Sequence, residues 1–106
     1  MDANRHEKIA EALREVAAEF MSREANRNIL LTVTRVMLSE DTKRATIYIT
    51  ALPEEGEQAA VDFANRNRTE LKNFYKKRVR GGLPPDIVFE IDYGDKNRRR
   101  LDELSN

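Results

Sequence analysis

The chain has 106 residues and a mass of 12.3 kDa, which is the length of one domain, and we expect a single domain over residues 1–106. It contains no cysteine, and this excludes a disulfide framework, a thiolate zinc site and cysteine catalysis. Its net charge is zero, no apolar run approaches the ~20 residues of a membrane span, and charges throughout Met1 to Arg14 argue against a signal peptide.

The first predicted element is an amphipathic helix from Arg5 to Arg23, because apolar residues recur there every three or four positions. The predicted N-cap is Asn4, with Glu7 as its reciprocal partner, and the polar run 26–28 marks the end of the helix. The apolar stripe consists of Ile9, Leu13, Val16, Ala17, Phe20 and Met21.

A β-hairpin follows the helix. Residues 29–38 and 45–52 are rich in β-branched and apolar side chains, and residues 39–43 form a turn cluster between them. In the second strand one face carries Ala45, Ile47, Ile49 and Ala51 and the other carries Thr46, Tyr48 and Thr50. The alternation of the first strand slips after Arg35, which predicts a β-bulge there or a strand end that is buried on both faces.

Two helices joined by a kink are predicted next. The first begins at residues 52–55, with Pro53 at its first helical position. Its apolar stripe is interrupted by the polar run 65–69 and resumes at Leu71. Asn67 and Glu70 could cap the second helix, which the Gly and Pro residues of 81–85 end.

A third strand is predicted from the alternation of Ile87, Phe89 and Ile91 with polar neighbours, and residues 97–104 form at best a short helix. The predicted class is α/β (α+β), in the order α-β-β-α-α-β. A right-handed crossover pairs strands two and three in parallel, so that strand two is central in a three-stranded mixed sheet. Helices then cover one face, and the face of Thr46, Tyr48 and Thr50 stays open.

Catalytic patterns are poorly represented. His6 is the only histidine, and its place on the first turn of a helix is explained by a polar surface position. The pair Gly81-Gly82 lacks the Lys-Ser/Thr of a phosphate-binding loop, and no serine has a nucleophile setting. We expect no enzyme, no catalytic residue, no cofactor and no metal site.

Charge is separated along the chain. Residues 63–100 carry eleven Lys or Arg against five Asp or Glu, a net charge of +6, and the other residues carry −6. Local potential, rather than total charge, attracts an anionic partner. A solvated charged surface also fits this separation.

The basic residues are the candidate nucleic-acid-binding residues. Arg68, Lys72 and Lys76 recur at intervals of four and form one helical stripe, and such a stripe suits phosphate backbones. Basic side chains in the last turn of a helix are stabilised by the negative end of the helix dipole. This explains the cations at the end of the helix, but not those at the kink. The full set is Arg66, Arg68, Lys72, Lys76, Lys77, Arg78 and Arg80, with Arg98, Arg99 and Arg100 as a second, weaker cluster.

Three segments resemble the ribosome-binding factor A family. Leu31–Asp41 (LTVTRVMLSED) with Ala45–Thr50 (ATIYIT) is similar to the hairpin of that family. Pro85–Asp92 (PDIVFEID) and Arg99–Leu104 (RRLDEL) are similar to its last strand and its closing segment. The resemblance covers about residues 5–104, which we take as the ordered core.

The resemblance implies a KH-like fold of the second topological type and a non-catalytic bacterial or organellar factor. Such a factor binds the small (30S) ribosomal subunit and its 16S-type rRNA, around the 5′ end, the central pseudoknot and the neck, during late maturation and rRNA processing. The implied location is the bacterial cytoplasm, or an organelle in a eukaryote, and the implied state off the ribosome is a monomer, with no membrane and no small-molecule substrate as partner. The Ala-x-Gly kink of the family is replaced here by the glycine-free run 65–69.

Two other functions remain open at this point. A general KH-like binder of single-stranded RNA would normally use a GxxG loop, which is missing from this sequence. A protein-interaction module could instead use the open sheet face around Tyr48. The dependence of binding on salt separates contacts to phosphates from apolar protein contacts.

Overall fold

The chain has the predicted order of elements in its computed structural model, which describes residues 2–24, 29–81, 83–94, 97–98 and 101, with the backbone alone for residues 2–4 and 24. The elements are α1 (Asp2–Glu24), β1 (Leu30–Leu38), β2 (Arg44–Leu52), α2 (Glu57–Arg66), α3 (Arg68–Arg78) and β3 (Asp86–Ile91). A short 3-10 turn, Glu54–Gly56, precedes α2.

The sheet has the predicted topology. β2 is central, β1 pairs with it in antiparallel orientation and β3 in parallel orientation. The predicted bulge is confirmed, because Val33 pairs with Ile49 and Arg35 with Tyr48, which leaves Thr34 as the extra residue. The bulge keeps the apolar side chains of β1 on the helix-covered face on both sides of the slip.

The core lies between that face of the sheet and the three helices. Ile47, Ile49 and Phe89 from the strands are almost fully buried, as are Leu13 and Ala17 from α1. The predicted stripe of α1 is therefore confirmed, with Ile9 only half-buried at its start. α2 and α3 contribute Ala60, Val61, Ala64, Leu71 and Tyr75 to the same core.

Several predicted helix ends are wrong. α1 begins at Asp2, so Asn4 lies inside the helix rather than at its N-cap. Pro53 precedes the 3-10 turn in an extended conformation, so it is not the first residue of the α-helix, which starts at Glu57. The predicted end of α1 at residues 26–28 lies outside the described residues, as does most of the short helix at 97–104, of which Asn97, Arg98 and Leu101 are helical.

The open face of the sheet differs from the prediction at Thr50. Thr46 and Tyr48 are half-buried, but Thr50 is only 6% exposed. It pairs with Thr32 on one side, and on its other side Asp92 continues β3 and donates its backbone N–H to the Ile49 oxygen at 2.9 Å. A small side chain on the central strand is shielded by neighbours on both sides.

Candidate nucleic-acid interface

The predicted kink between α2 and α3 is present without a glycine. Asn67 joins the two helices at φ −104° and ψ 19°, and the negative φ means that no glycine is required there. Its side-chain Nδ2 donates to the Phe63 oxygen at 2.8 Å, so the predicted capping box between Asn67 and Glu70 is wrong. The amide satisfies a carbonyl of the preceding helix instead of a free N–H of the next one.

Asn65 fastens this kink to the outer edge of β3. Its Nδ2 donates to the Phe89 oxygen at 3.2 Å, and the Phe89 N–H donates to its Oδ1 at 2.9 Å. Arg68 Nε donates to the backbone oxygen of Asn65 at 3.0 Å. Arg68 Nη1 reaches the edge of β3, where it donates to the Ile87 oxygen at 3.4 Å. The polar run at the kink therefore pairs with backbone groups that an edge strand would otherwise expose.

Lys72 lies one turn further along α3, on the same side as Arg68. Its Nζ lies 2.6 Å from Asp86 Oδ1 at the start of β3. The hydrogen bond and positive charge of Lys72 hold the pKa of the Asp86 carboxyl below its usual value. The carboxylate partly neutralises Lys72, which is half-buried, so the basic stripe is weaker at its centre than the sequence predicts.

Arg78 lies on the opposite side of α3 and faces α1. Its Nη2 lies 2.7 Å from Glu19 Oε1, and its guanidinium stacks on the Phe74 ring at 4.8 Å. Arg23 approaches the same ring at 5.3 Å and also pairs with Glu19, at 3.2 Å. These contacts tie α1 to α3, so the geometry gives Arg78 a packing role.

The remaining cations of this region face outward. Arg66, Lys76, Lys77 and Arg80 are exposed, and none forms an ion pair with another residue in the described part of the chain. Arg80 follows α3, just before Gly81, whose φ of 82° lets the chain turn toward β3. Arg98 is exposed in the C-terminal helical turn, whereas Arg99 and Arg100 lie outside the described residues.

Three cations that the sequence analysis did not select lie near Arg80. Arg5 and Lys8 on α1 and Lys43 in the β1–β2 turn line the same groove as Arg80. They belong to the acidic part of the sequence, so no linear signal identifies them. His6 lies beside them and is more than a surface position, because its Nε2 lies 2.9 Å from the Leu38 oxygen and 3.2 Å from the Ser39 oxygen.

The open sheet face holds a polar network rather than a bare aromatic side chain. The Arg35 guanidinium stacks on the Tyr48 ring at 4.1 Å. Thr34 Oγ1 donates to the buried Asp92 at 2.5 Å, and Arg35 Nε lies 3.5 Å from the same carboxylate. The bulge thus positions Thr34 and Arg35 to bind Asp92, and Arg35 in turn covers Tyr48.

Neither a membrane span nor a metal cluster is found among the described residues. No helix there is long and apolar enough to cross a bilayer. No group of three or more His, Cys, Asp or Glu side chains there is placed to hold a metal ion.

The topology defines the class of protein. The elements follow the order α-β-β-α-α-β, and the helices cover one face of the sheet. The central strand pairs antiparallel on one side and parallel on the other. This topology is that of a KH-like domain of the second topological type. The family model described as ribosome-binding factor A matches residues 5–105. The chain belongs to the ribosome-binding factor A family.

Curated relatives and solved structures agree with this assignment. Ribosome-binding factor A of Methylobacterium nodulans is 33% identical over 94% of this chain and 78% of its own length, and that of Geotalea uraniireducens is 31% identical over 96% and 89%. The crystal structure of ribosome-binding factor A from Thermus thermophilus is similar with a TM-score of 0.70, at 26% identity over 81% of this chain and 94% of that one. A Thermus thermophilus homology model, fitted into the cryo-EM map of a complex between 30S and that factor, is similar with a TM-score of 0.67, at 28% identity over 77% and 89%.

Proposed function

We propose that this chain is a non-catalytic assembly factor that binds the small ribosomal subunit and its rRNA during late maturation, in the cytoplasm of a bacterium or in an organelle. The observation that carries the proposal is the family match over residues 5–105, together with a relative that was fitted into a 30S complex. The chain acts as one RNA-binding domain by occupancy: it favours one arrangement of the maturing rRNA and performs no reaction.

The outward cations of α2 and α3 carry the contact with rRNA in this proposal. Arg66, Lys76 and Lys77 are exposed, and no other described residue neutralises them. Each contact with a phosphate releases condensed counterions and needs charge more than fixed geometry. Arg68 and Lys72 reach the same surface but also bind β3, so they hold the kink as well as adding charge.

The factor is a monomer away from the subunit in this proposal. The outer edge of β3, one of the two edges of the sheet, is covered by Asn65 and Arg68, which leaves few backbone groups there for a second copy to pair with. Size-exclusion chromatography with light scattering should give a mass near 12.3 kDa. A mass of twice that value at micromolar concentration would contradict the monomer.

The interface is tested by the variant Arg66→Gln/Lys76→Gln/Lys77→Gln. Its affinity for purified small subunits should fall at least about tenfold, and the slope of log affinity against log salt should flatten by about one unit per lost phosphate contact. The free energy of unfolding should change by only a few tenths of a kcal/mol per site, because exposed charges contribute little to stability.

The matched control is Lys76→Arg/Lys77→Arg, which keeps the charge at both positions and should keep wild-type affinity and slope. Arg14→Gln, on α1 and paired with Glu11, should also leave binding unchanged. If the triple Gln variant binds with unaltered affinity and slope, the α2–α3 surface is only a solvated face and the contact lies elsewhere.

A further inference from the structure

A groove opens at the end of the molecule where β3 begins. The start of α1, the β1–β2 turn and the connection from α3 to β3 surround a space of about 930 Å³. Ile9, Ala12, Val79 and Leu83 supply its apolar lining, and Leu83 is 87% exposed although it is a large apolar residue. Its one aromatic lining residue, Tyr75, is 4% exposed, so the groove offers no ring for stacking.

Cations from three separate segments surround this lining. Arg5 and Lys8 come from α1, Lys43 from the β1–β2 turn, and Arg80 from the connection after α3. All four side chains are exposed, and none forms an ion pair with a described residue. Like charges that converge from three segments repel one another, and an anionic partner that fills the groove removes that repulsion.

The two carboxylates among the described residues that line the groove are already engaged by the protein. Asp41 Oδ1 accepts from Ser39 Oγ at 2.6 Å and from the Lys43 N–H at 3.0 Å. These hydrogen bonds lower the pKa of the Asp41 carboxyl, with a smaller effect from the nearby charges of Lys43 and Arg44. Asp86 accepts from Lys72. Four cations therefore face two carboxylates that have partners, and the groove stays electropositive.

The groove is continuous with the basic surface of α3. Lys76 and Lys77 lie in the last turn of that helix and Arg80 lies two residues after it, and Asp86, which holds Lys72, also lines the groove. A partner that runs along the end of α3 therefore reaches the groove beside Asp86, whose carboxylate is paired with Lys72. Cations spread over three segments suit an extended polyanion, whose charges repeat along its length, better than a single anionic group.

We propose that the groove holds the sugar–phosphate backbone of an rRNA segment, so that this segment is gripped by Arg5, Lys8, Lys43 and Arg80 as a second contact beyond the α2–α3 surface. The proposal rests on the proposed function. It assigns RNA binding to α1 and the β1–β2 turn, both of which lie in the acidic part of the sequence. The contact is to phosphates rather than stacked bases, since no exposed ring lines the groove.

The test measures binding of the variant Arg5→Gln/Lys8→Gln/Lys43→Gln to purified small subunits over a range of salt concentrations. Affinity should fall at least about tenfold, and the slope of log affinity against log salt should flatten by about one unit per lost phosphate contact. The charge-matched pair is Lys8→Gln against Arg14→Gln on the same helix, of which only the first should weaken binding. Equal effects of the two would overturn the groove as a site.

The outcomes separate this proposal from the proposed function. Wild-type binding by the groove variant, together with weakened binding by Arg66→Gln/Lys76→Gln/Lys77→Gln, overturns the groove alone. Wild-type binding by both variants overturns the RNA-contact assignment of both surfaces. Weakened binding with an unchanged salt slope contradicts a phosphate contact in the groove and overturns the proposal.

A crosslink identifies the occupant directly. A benzophenone amino acid replaces Leu83 in the groove, with the same replacement of Val88 on the open sheet face as the control. Irradiation of the complex with small subunits should link the Leu83 probe to rRNA and the Val88 probe to little RNA. A Leu83 crosslink to a ribosomal protein, or equal RNA crosslinks from both positions, would contradict the proposal.

Discussion

Asn65 shows how one side chain can replace a neighbouring strand. Its amide donates to the Phe89 oxygen and accepts from the Phe89 N–H, which is the pair of bonds that a further strand would make. A carboxamide is the side chain with both functions in one plane. The same residue ends the apolar stripe of α2, so the break in periodicity and the protection of β3 have one cause.

Asn65→Ala should lower the free energy of unfolding by about 1–3 kcal/mol, because it leaves two partly buried backbone groups of Phe89 without their partner. Asn65→Asp should not restore the stability, since a carboxylate accepts from the Phe89 N–H but places a second acceptor against the Phe89 oxygen, where the two repel. Urea unfolding checks this, with Asn73→Ala at an exposed site of α3 as the control. Equal stability of the Asn65 and Asn73 variants would mean that water replaces the amide at no cost.

Phe89→Ala should cost about 3–5 kcal/mol, because the ring is 2% exposed in the centre of the core. Ile47→Ala, on the strand beside it and fully buried, should cost about 2–5 kcal/mol. Val88→Ala, adjacent in β3 but 38% exposed on the open face, should cost less than about 1 kcal/mol. Thermal unfolding measures all three, and comparable losses at Val88 and Phe89 would show that the faces of β3 are assigned wrongly.

For single residues, the sequence predicts well which side chains are buried and predicts poorly which other side chains they contact. The alternation of Ile47, Phe89 and their neighbours is local, and the core follows from it. The partner of Arg78 is Glu19, 59 positions earlier, and nothing in the local sequence marks that pair. Arg78 and Lys77 are both basic residues in the last turn of α3, so the sequence does not distinguish them. In the structure, however, Arg78 packs against α1 and Lys77 is exposed.

The kink between α2 and α3 is the element that the sequence locates best and explains least. The polar run 65–69 places it correctly, because five polar residues interrupt the apolar stripe. The hydrogen bonds that hold the kink against β3 depend on a strand that lies about 20 residues later. The local sequence predicts a capping box at the kink instead, and that prediction is wrong. The bulge of β1 was predictable because a slip in parity is visible in the strand itself.

Asp86→Asn tests how far the start of β3 limits the charge of α3. The change removes the carboxylate 2.6 Å from Lys72 and next to the groove, so affinity for small subunits should rise a few-fold and the salt slope should steepen. Stability should change little, because the Asp86 side chain is 79% exposed and solvent screens its pair with Lys72. Filter binding or sedimentation at several salt concentrations provides the measurement.

Asp62→Asn provides the matched control, since it removes one carboxylate from the exposed face of α2, away from Lys72. It should change affinity much less than Asp86→Asn does. If Asp86→Asn weakens binding while the fold keeps its stability, the Lys72–Asp86 pair positions the interface rather than limiting it.

The whole molecule brings together cations that the sequence separates. The linear separation of charge identifies the end of α2, the whole of α3 and the C-terminal cluster, which lie within residues 63–100. The fold then places Arg5, Lys8 and Lys43 beside Arg80, across a groove that only the tertiary arrangement creates. The order of elements and the strand order were predictable, because each follows from local patterns and the right-handed crossover. The second basic surface was not, because it depends on where α1 begins relative to a distant turn.

The central claim is that this chain binds the small ribosomal subunit, and sedimentation with purified subunits tests it most directly. Equal concentrations of small subunits, large subunits and assembled ribosomes are centrifuged with the protein at physiological salt, and the protein in each pellet is measured. We predict binding to free small subunits, with large subunits and assembled ribosomes largely unbound. Equal recovery with small and large subunits would contradict this claim and reduce the basic surfaces to general attraction for polyanions.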